Sequence, residues 1–417
     1  MSVIRRGLIA SLALLSAGAC NDPSSPSPAR ITSLPRELST TEQAIAQGSN
    51  AFAFSLLRAV NRTFADSNVF ISPLSASMAL GMALNGTATE THAEMRTALG
   101  VTSGTMAEVN QGYKALIELL RGLDPNVDFR IANAVWYRDT FGPHIEQSFL
   151  DATRTFFDAS AAGLDFTSPQ AVTTINDWVN SSTNGRISKM VDQIPPEIVM
   201  YLMNAIYFKG NWREQFDKAH TVPAEFTTHN GERLTAQMMS RRGGFRVRRL
   251  SAGTLGAELP YGGDAFVMTA ILPPENADIN TFIDALTPQL LQALTSEMSD
   301  APMLLHLPKF RLSWEDELND ELKSLGMQRA FIPDGADFTP LSASLGRNLY
   351  VSKVRQKTFV DVNEEGTEAA AVTSVEIGVT SAPSSVDFNR PFVFVIRERL
   401  SGTILFIGKI VRPVISS

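Results

Sequence analysis

The chain reads as an α+β protein, and three observations predict that class. Apolar residues recur at helical spacing through the first third. Runs rich in β-branched and aromatic residues fill the remainder, and helical stretches stand between them. No internal repeat and no composition shift divides 42–417, so one domain is expected there.

The first nineteen residues carry Arg5 and Arg6, then an apolar stretch over 7–19 that is too short to span a bilayer as an anchor. Ala17, Gly18 and Ala19 supply the small residues a signal peptidase reads, so 1–19 is expected to be an export signal. Cys20, the one cysteine, follows at once, and 14–20 resembles a degenerate bacterial lipobox in which Cys20 would be acylated. Ordinary secretion with Cys20 as a tail residue is the competing reading; lipidation is favoured because a free N-terminal thiol has no evident use outside a cell. Prolines at 23, 26, 28 and 35 among Ser and Thr make 20–41 an expected extended tether.

Within the folded part, Phe52, Leu56 and Val60 mark a first helix. The uncharged stretch 75–84 predicts a helix buried on nearly all sides. Met95 and Leu99 mark another, which Thr91 and Glu94 would open as a capping box and Gly100 would end. Strands are expected at 129–137, 198–208, 245–250, 265–272, 303–307, 353–362, 392–397 and 403–411, the last two joined as a hairpin through a Leu-Ser-Gly turn.

Composition excludes several function classes. A net charge of −7 lacks the basic excess that phosphate neutralisation requires, so no nucleic-acid partner is expected. The arginines at 241–242 and 246–249 read as a solvated turn and strand face. The five histidines (92, 144, 220, 229, 306) show no metal-ligand spacing. No nucleophile elbow or phosphate loop is present, so neither an enzyme nor a metal or other cofactor is expected.

The most informative stretch is 364–382. Taken as extended from Thr367, it places Thr367, Ala369, Ala371, Thr373, Val375, Ile377 and Val379 on one uncharged face. Glu368 and Glu376 fall on the other face, and no proline intervenes before Pro383. It reads as a latent strand that a sheet could accept. A helix or linker suits it less, because the residues after Ala371 are poor helix formers and a linker needs no face pattern.

Motifs spread over the whole of 42–417 resemble the serpin family. They are Asn68-Val-Phe-Ile-Ser-Pro-Leu-Ser75, Asn204-Ala-Ile-Tyr-Phe-Lys-Gly-Asn-Trp212, Pro308-Lys-Phe-Arg311, Leu325-Gly-Met327, Val362-Asn-Glu-Glu-Gly-Thr-Glu-Ala-Ala-Ala371 and Arg390-Pro-Phe-Val-Phe394, in the family's order. The resemblance implies about nine helices around three β-sheets with an exposed reactive-centre loop. It also implies a hinge at Glu364, Glu365, Gly366, Thr367, Glu368, Ala369, Ala370 and Ala371. The family's cleavage site, fourteen residues after the hinge glycine that Gly366 matches, falls between Thr380 (P1) and Ser381 (P1′), and Phe388 stands at the matching downstream offset.

As the resemblance has it, a target serine protease attacks that bond, forms an acyl-enzyme and is trapped in a covalent 1:1 complex when the severed loop enters the central sheet. Thr380 and Val379 are small and β-branched, which points to elastase-like or subtilisin-like proteases; no Lys or Arg lies between Gly366 and Phe388, which disfavours a trypsin-like one. A monomer is implied, with membrane contact only through a lipid at Cys20. Ser72, Ser75 and Asn204 match the shutter, whose buried polar groups are expected to pair with one another, and Trp212 matches the breach aromatic. Gln356 stands where the family usually has a shutter histidine; an amide can donate and accept but cannot titrate. The rival reading is a non-inhibitory serpin acting as a binding or chaperone-like module. In that class the hinge usually carries bulky, charged or proline residues facing inward, unlike Thr367, Ala369, Ala371 and Thr373 here.

Overall fold

The computed structural model describes residues 28–367 and 384–414. Cys20, the expected reactive bond Thr380–Ser381 and the expected hinge residues Glu368, Ala369, Ala370 and Ala371 therefore lie outside the described residues. Nine α-helices and two hydrogen-bonded sheets make up the described fold.

The first helix, Thr40–Thr63, opens on a reciprocal cap. Ser39 Oγ accepts from the Glu42 amide, and the Glu42 carboxylate accepts from the Ser39 amide at 2.8 Å. The expected tether thus ends two residues earlier, and its last part lies on the body: the Ile31 amide donates to Gly263 O at 2.7 Å and Arg213 to Pro28 O at 2.6 Å. Helix Pro73–Leu84 is buried almost all round, as its uncharged sequence predicts. Helix Thr89–Ala98 ends at Gly100 as expected, where positive φ and the Gly48 backbone, 2.6–2.9 Å from an added Cβ, demand glycine. The expected Thr91–Glu94 capping box does not form. Thr91 Oγ1 accepts from the Asp337 amide and Glu94 Oε2 from the Gln328 and Arg329 amides, so tertiary donors take both side chains.

The six-stranded sheet runs in the order Phe310–Glu317, Arg355–Val362, Gly366–Thr367, Met200–Asn211, Val127–Arg138, Ala159–Leu164. The nine-stranded sheet runs Val69–Ile71, Ile404–Ile410, Phe392–Glu398, Phe266–Leu272, Leu255–Pro260, Arg233–Arg249, Ser299–Pro308, Ser384–Asp387, with Val222–Thr227 also on Arg233–Arg249. Two of the three expected layers run into each other here, because the 17-residue strand Arg233–Arg249 pairs with Ser299–Pro308 over most of its length and with Leu255–Pro260 at its end. The predicted hairpin is present as Phe392–Glu398 on Ile404–Ile410.

The main core fills the space between the sheets and the first helices, with Phe70 stacked on Phe394 and Phe406 at centroid distances of 5.5 and 5.1 Å. On the other face of the six-stranded sheet, helix Pro169–Ser182 packs through Ile175 on a smaller cluster containing Trp136, Phe166 and Ile198.

Candidate functional site at the opening of the six-stranded sheet

Gly366 and Thr367 occupy a sheet position by themselves. Gly366 stands opposite Asn211 and Thr367 opposite Gly210 on one side, while Thr367 stands opposite Val362 on the other, antiparallel to both neighbours. Among the described residues, the sheet order passes from Arg355–Val362 to Met200–Asn211 only through these two. Glycine is required at both contact points. A Cβ on Gly366 would stand 2.2 Å from Gly210 O, and one on Gly210 would stand 2.9 Å from the Tyr261 ring.

Thr367 is buried, and its Oγ1 lies 2.8 Å from the Tyr261 hydroxyl. Tyr261 is fully enclosed, so burial pushes its phenol well above the ordinary tyrosine range and it stays a neutral hydrogen-bonding group. Trp212 stacks on Tyr261 with centroids 4.5 Å apart. Its indole N–H donates to Asn363 O at 2.9 Å and its amide to Glu365 O at 2.8 Å. Trp212 thus fixes the turn that precedes the strand Gly366–Thr367.

Two acids of that turn are held by two lysines. Lys309 Nζ reaches Glu364 Oε2 at 2.8 Å, Thr221 Oγ1 donates to Glu364 Oε1 at 2.8 Å, and Lys218 pairs with Glu365. Burial alone would push the Glu364 carboxyl up. The hydrogen bond from Lys309, a backbone N–H, Thr221 and the Lys309 charge together outweigh it and hold the group below its ordinary value. Sequence reasoning named the two glutamates but missed Lys309, Lys218, Thr221 and Tyr261. Lys309 sits inside a quoted motif, yet nothing in a linear sequence says that it meets a residue 55 positions on.

Six residues down the strand from Gly210 lies a second polar layer. Ser72 caps helix Pro73–Leu84, accepting from the Ser75 amide at 3.3 Å and donating to Leu405 O at 2.8 Å. Gln356 grips the Ser72 backbone at two points, accepting from its N–H at 3.0 Å and donating to its C=O at 2.7 Å. Ser72, Ser75 and Gln356 are therefore brought together. Asn204 joins them only through its backbone oxygen, 3.5 Å from Ser75 Oγ. Its side-chain amide donates instead to Asn133 Oδ1 at 2.7 Å, and sequence reasoning did not name Asn133. The expected mutual pairing of side chains is thus replaced largely by side-chain-to-backbone bonds. Ser72, Ser75, Asn204, Lys357, Thr358 and Phe406 line a cleft at this level, and a second cleft, bordered by Ile206, Phe359 and Thr367, lies nearer the strand Gly366–Thr367.

Among the described residues no group of three or more His, Cys, Asp or Glu could hold a metal ion. Among the described residues, no ladder joins Arg355–Val362 to Met200–Asn211 except through Gly366–Thr367.

The family model described as Serpin (serine protease inhibitor) matches residues 47–413. Serpin B8 of Bos taurus is 36% identical over 383 residues, covering 89% of this chain and all of that protein. Leukocyte elastase inhibitor of Sus scrofa is 34% identical over 377 residues, covering 87% of this chain and 97% of that protein. Among solved structures, the thermophilic serpin tengpin in its native state superposes with a TM-score of 0.79 at 32% identity, covering 93% of this chain and 97% of that one. Human thyroxine-binding globulin with its ligand superposes with a TM-score of 0.81 at 27% identity, covering 90% of this chain and all of that one. With the motifs, the sheet order and these matches in agreement, the chain belongs to the serpin family.

Proposed function

We propose that this chain inhibits serine proteases as a suicide substrate. A protease with a shallow apolar pocket, of the elastase or subtilisin type, attacks the Thr380–Ser381 bond. Its nucleophile forms an ester with Thr380, and the freed loop then adds a strand between Arg355–Val362 and Met200–Asn211, carrying the acylated protease with it before water completes the hydrolysis. The observation that carries this reading is the two-residue strand Gly366–Thr367, in antiparallel register with both neighbours. The driving energy is the ladder and buried apolar surface that the uncut protein forgoes.

Incubation with pancreatic elastase or subtilisin tests it. An SDS-resistant covalent complex and a higher melting temperature of the cut protein are expected. Clean cleavage with neither would support the second reading, a non-inhibitory binding module, for which the likeness to thyroxine-binding globulin speaks. Export by 1–19 and acylation of Cys20 belong to the same proposal: the inhibitor would be held at the cell envelope by its tether, and radiolabelled palmitate should enter the wild type but not Cys20→Ser.

A further inference from the structure

Resting on the reading of 1–19 as an export signal and of Cys20 as the lipid attachment, we infer that residues 28–31 are a docking strap. It fixes where the tether leaves the body, so that a lipid bilayer faces the end of the molecule at which Gly366–Thr367 enters the six-stranded sheet. Ile31 is the first large apolar residue after Cys20, and it packs on the main core. Around it the body grips backbone. Arg213 donates to Pro28 O at 2.6 Å, Arg399 to Ile31 O at 2.8 Å, and the Ile31 amide to Gly263 O at 2.7 Å. The buried carboxylate of Asp124 accepts from the Gly263 amide at 2.7 Å and so fixes the residue that receives the strap. A Cβ on Gly263 would stand 3.1 Å from both Ala29 O and the Ile31 side chain, so strap and turn are in close contact.

That seat lies beside the opening of the sheet. The Gly262 amide donates to Asn211 O at 2.9 Å, and Asn211 stands opposite Gly366. Tyr261 reaches Thr367 at 2.8 Å, and Arg213 directly follows Trp212. The eight residues 20–27 extend at most about 3.6 Å each, so Cys20 stays within about 30 Å of Pro28 whatever path they take. With the strap undocked the chain would next be held at Arg36, which pairs with Glu42, and the reach would grow to about 55 Å. A globular domain of about 200 residues is about 40 Å across. It fits between the bilayer and an undocked molecule and does not fit beneath a docked one. The target protease therefore comes to the chain between Thr367 and Ser384 along the membrane surface.

The test anchors the chain chemically. Protein beginning at Cys20, its sole cysteine, is coupled to a maleimide lipid in phosphatidylcholine vesicles that also carry an acceptor dye. An azide-bearing amino acid in place of Ala219 or of Ile332 takes the donor dye. Ala219 is exposed between Lys218 and Thr221, which hold Glu365 and Glu364. Ile332 is exposed at the other end, where Ala330 O accepts from the Val351 amide shortly before Arg355 begins its strand. Energy transfer from the Ala219 site should exceed that from the Ile332 site severalfold. Ile31→Asp/Arg213→Ala should abolish most of that difference while melting within a few degrees of wild type. Equal transfer from the two sites, or a variant that keeps the full difference, overturns the docking role. Because the lipid is attached by chemistry, neither result depends on acylation in the cell. An absence of palmitate on Cys20 there would instead remove the bilayer as the partner and leave the exit point standing.

Discussion

Lys309 Nζ lies 2.8 Å from Glu364 Oε2, and Thr221 donates to the same carboxylate, so an acid two residues before the strand Gly366–Thr367 is fixed to two other parts of the chain. Lys309→Ala leaves Glu364, 3% exposed, with only a hydroxyl and backbone for company. Because the lysine is itself 28% exposed, the loss in unfolding free energy should be about 1–2 kcal/mol, less than for a fully buried pair. The pH dependence has a definite sign. Glu364 is held below its ordinary value of 4.5, so its contribution is fully present above that value and disappears as pH falls through the lower folded value. Urea unfolding of wild type and variant should therefore differ at pH 7 and converge as pH drops below 4.5. A difference that persists undiminished in acid would show that the ion pair is not its source.

If the chain inhibits as proposed, Thr367→Arg should convert it from inhibitor to substrate. The side chain is 3% exposed and faces the Tyr261 hydroxyl, so a guanidinium there would be buried without a carboxylate partner and the hinge would leave the sheet. Fold and uncut melting temperature should survive within a few degrees, because only two residues of strand are lost. With elastase the variant should be cleaved and form little or no SDS-resistant complex. Complex formation equal to wild type would disprove the face assignment.

Much of this was legible in the sequence, and the exceptions have physical causes. The strands 265–272, 392–397 and 403–411 announce themselves by continuous apolar, β-branched runs, and the structure buries every residue of Phe266–Leu272, Phe392–Glu398 and Ile404–Ile410. Ala159–Leu164 has the sequence Ala-Ser-Ala-Ala-Gly-Leu, with no intrinsic strand preference, and is a strand only because Asn133–Arg138 offers it a parallel ladder. Val222–Thr227 is hidden by Pro223 at an edge. At the site, the family resemblance pointed to Glu364, Trp212 and Asn204. Their partners Lys309, Tyr261 and Asn133, in that order, are supplied by the tertiary fold, which a local pattern does not encode.

Gln356 should give this serpin a pH-independent polar layer. Its two bonds to the Ser72 backbone have no titrating member, whereas Gln356→His would place there an imidazole, a group that can titrate. The rate at which heated, uncut protein loses inhibitory capacity, measured from pH 5.5 to 7.5, should be flat for wild type and should bend for Gln356→His. Gln356→Ala should lose about 2 kcal/mol at all pH values, since it strips partners from two buried backbone groups. A wild-type profile that bends near neutrality would place the titrating group elsewhere.

Lys409 is the cation whose burial most clearly costs stability. It is fully buried on strand Ile404–Ile410, and its ammonium donates to Ala65 O at 2.7 Å and to Asn280 Oδ1 at 3.0 Å, both neutral. Burial lowers its pKa to about 8, with Asp66 and Asp278 pulling weakly the other way; His229, bonded to Asp66, completes the titratable surroundings. In the unfolded chain the group titrates at the ordinary 10.5, so between pH 8 and 10.5 the unfolded state binds the extra proton. Stability from this group must therefore rise across that window, the penalty being complete below pH 8. Lys409→Met keeps the length of the side chain and removes the charge. It should raise stability at pH 7 and flatten the profile between pH 8 and 10, where wild type climbs. Equal slopes for the two proteins in that window would show that Lys409 is charged without penalty in the folded state.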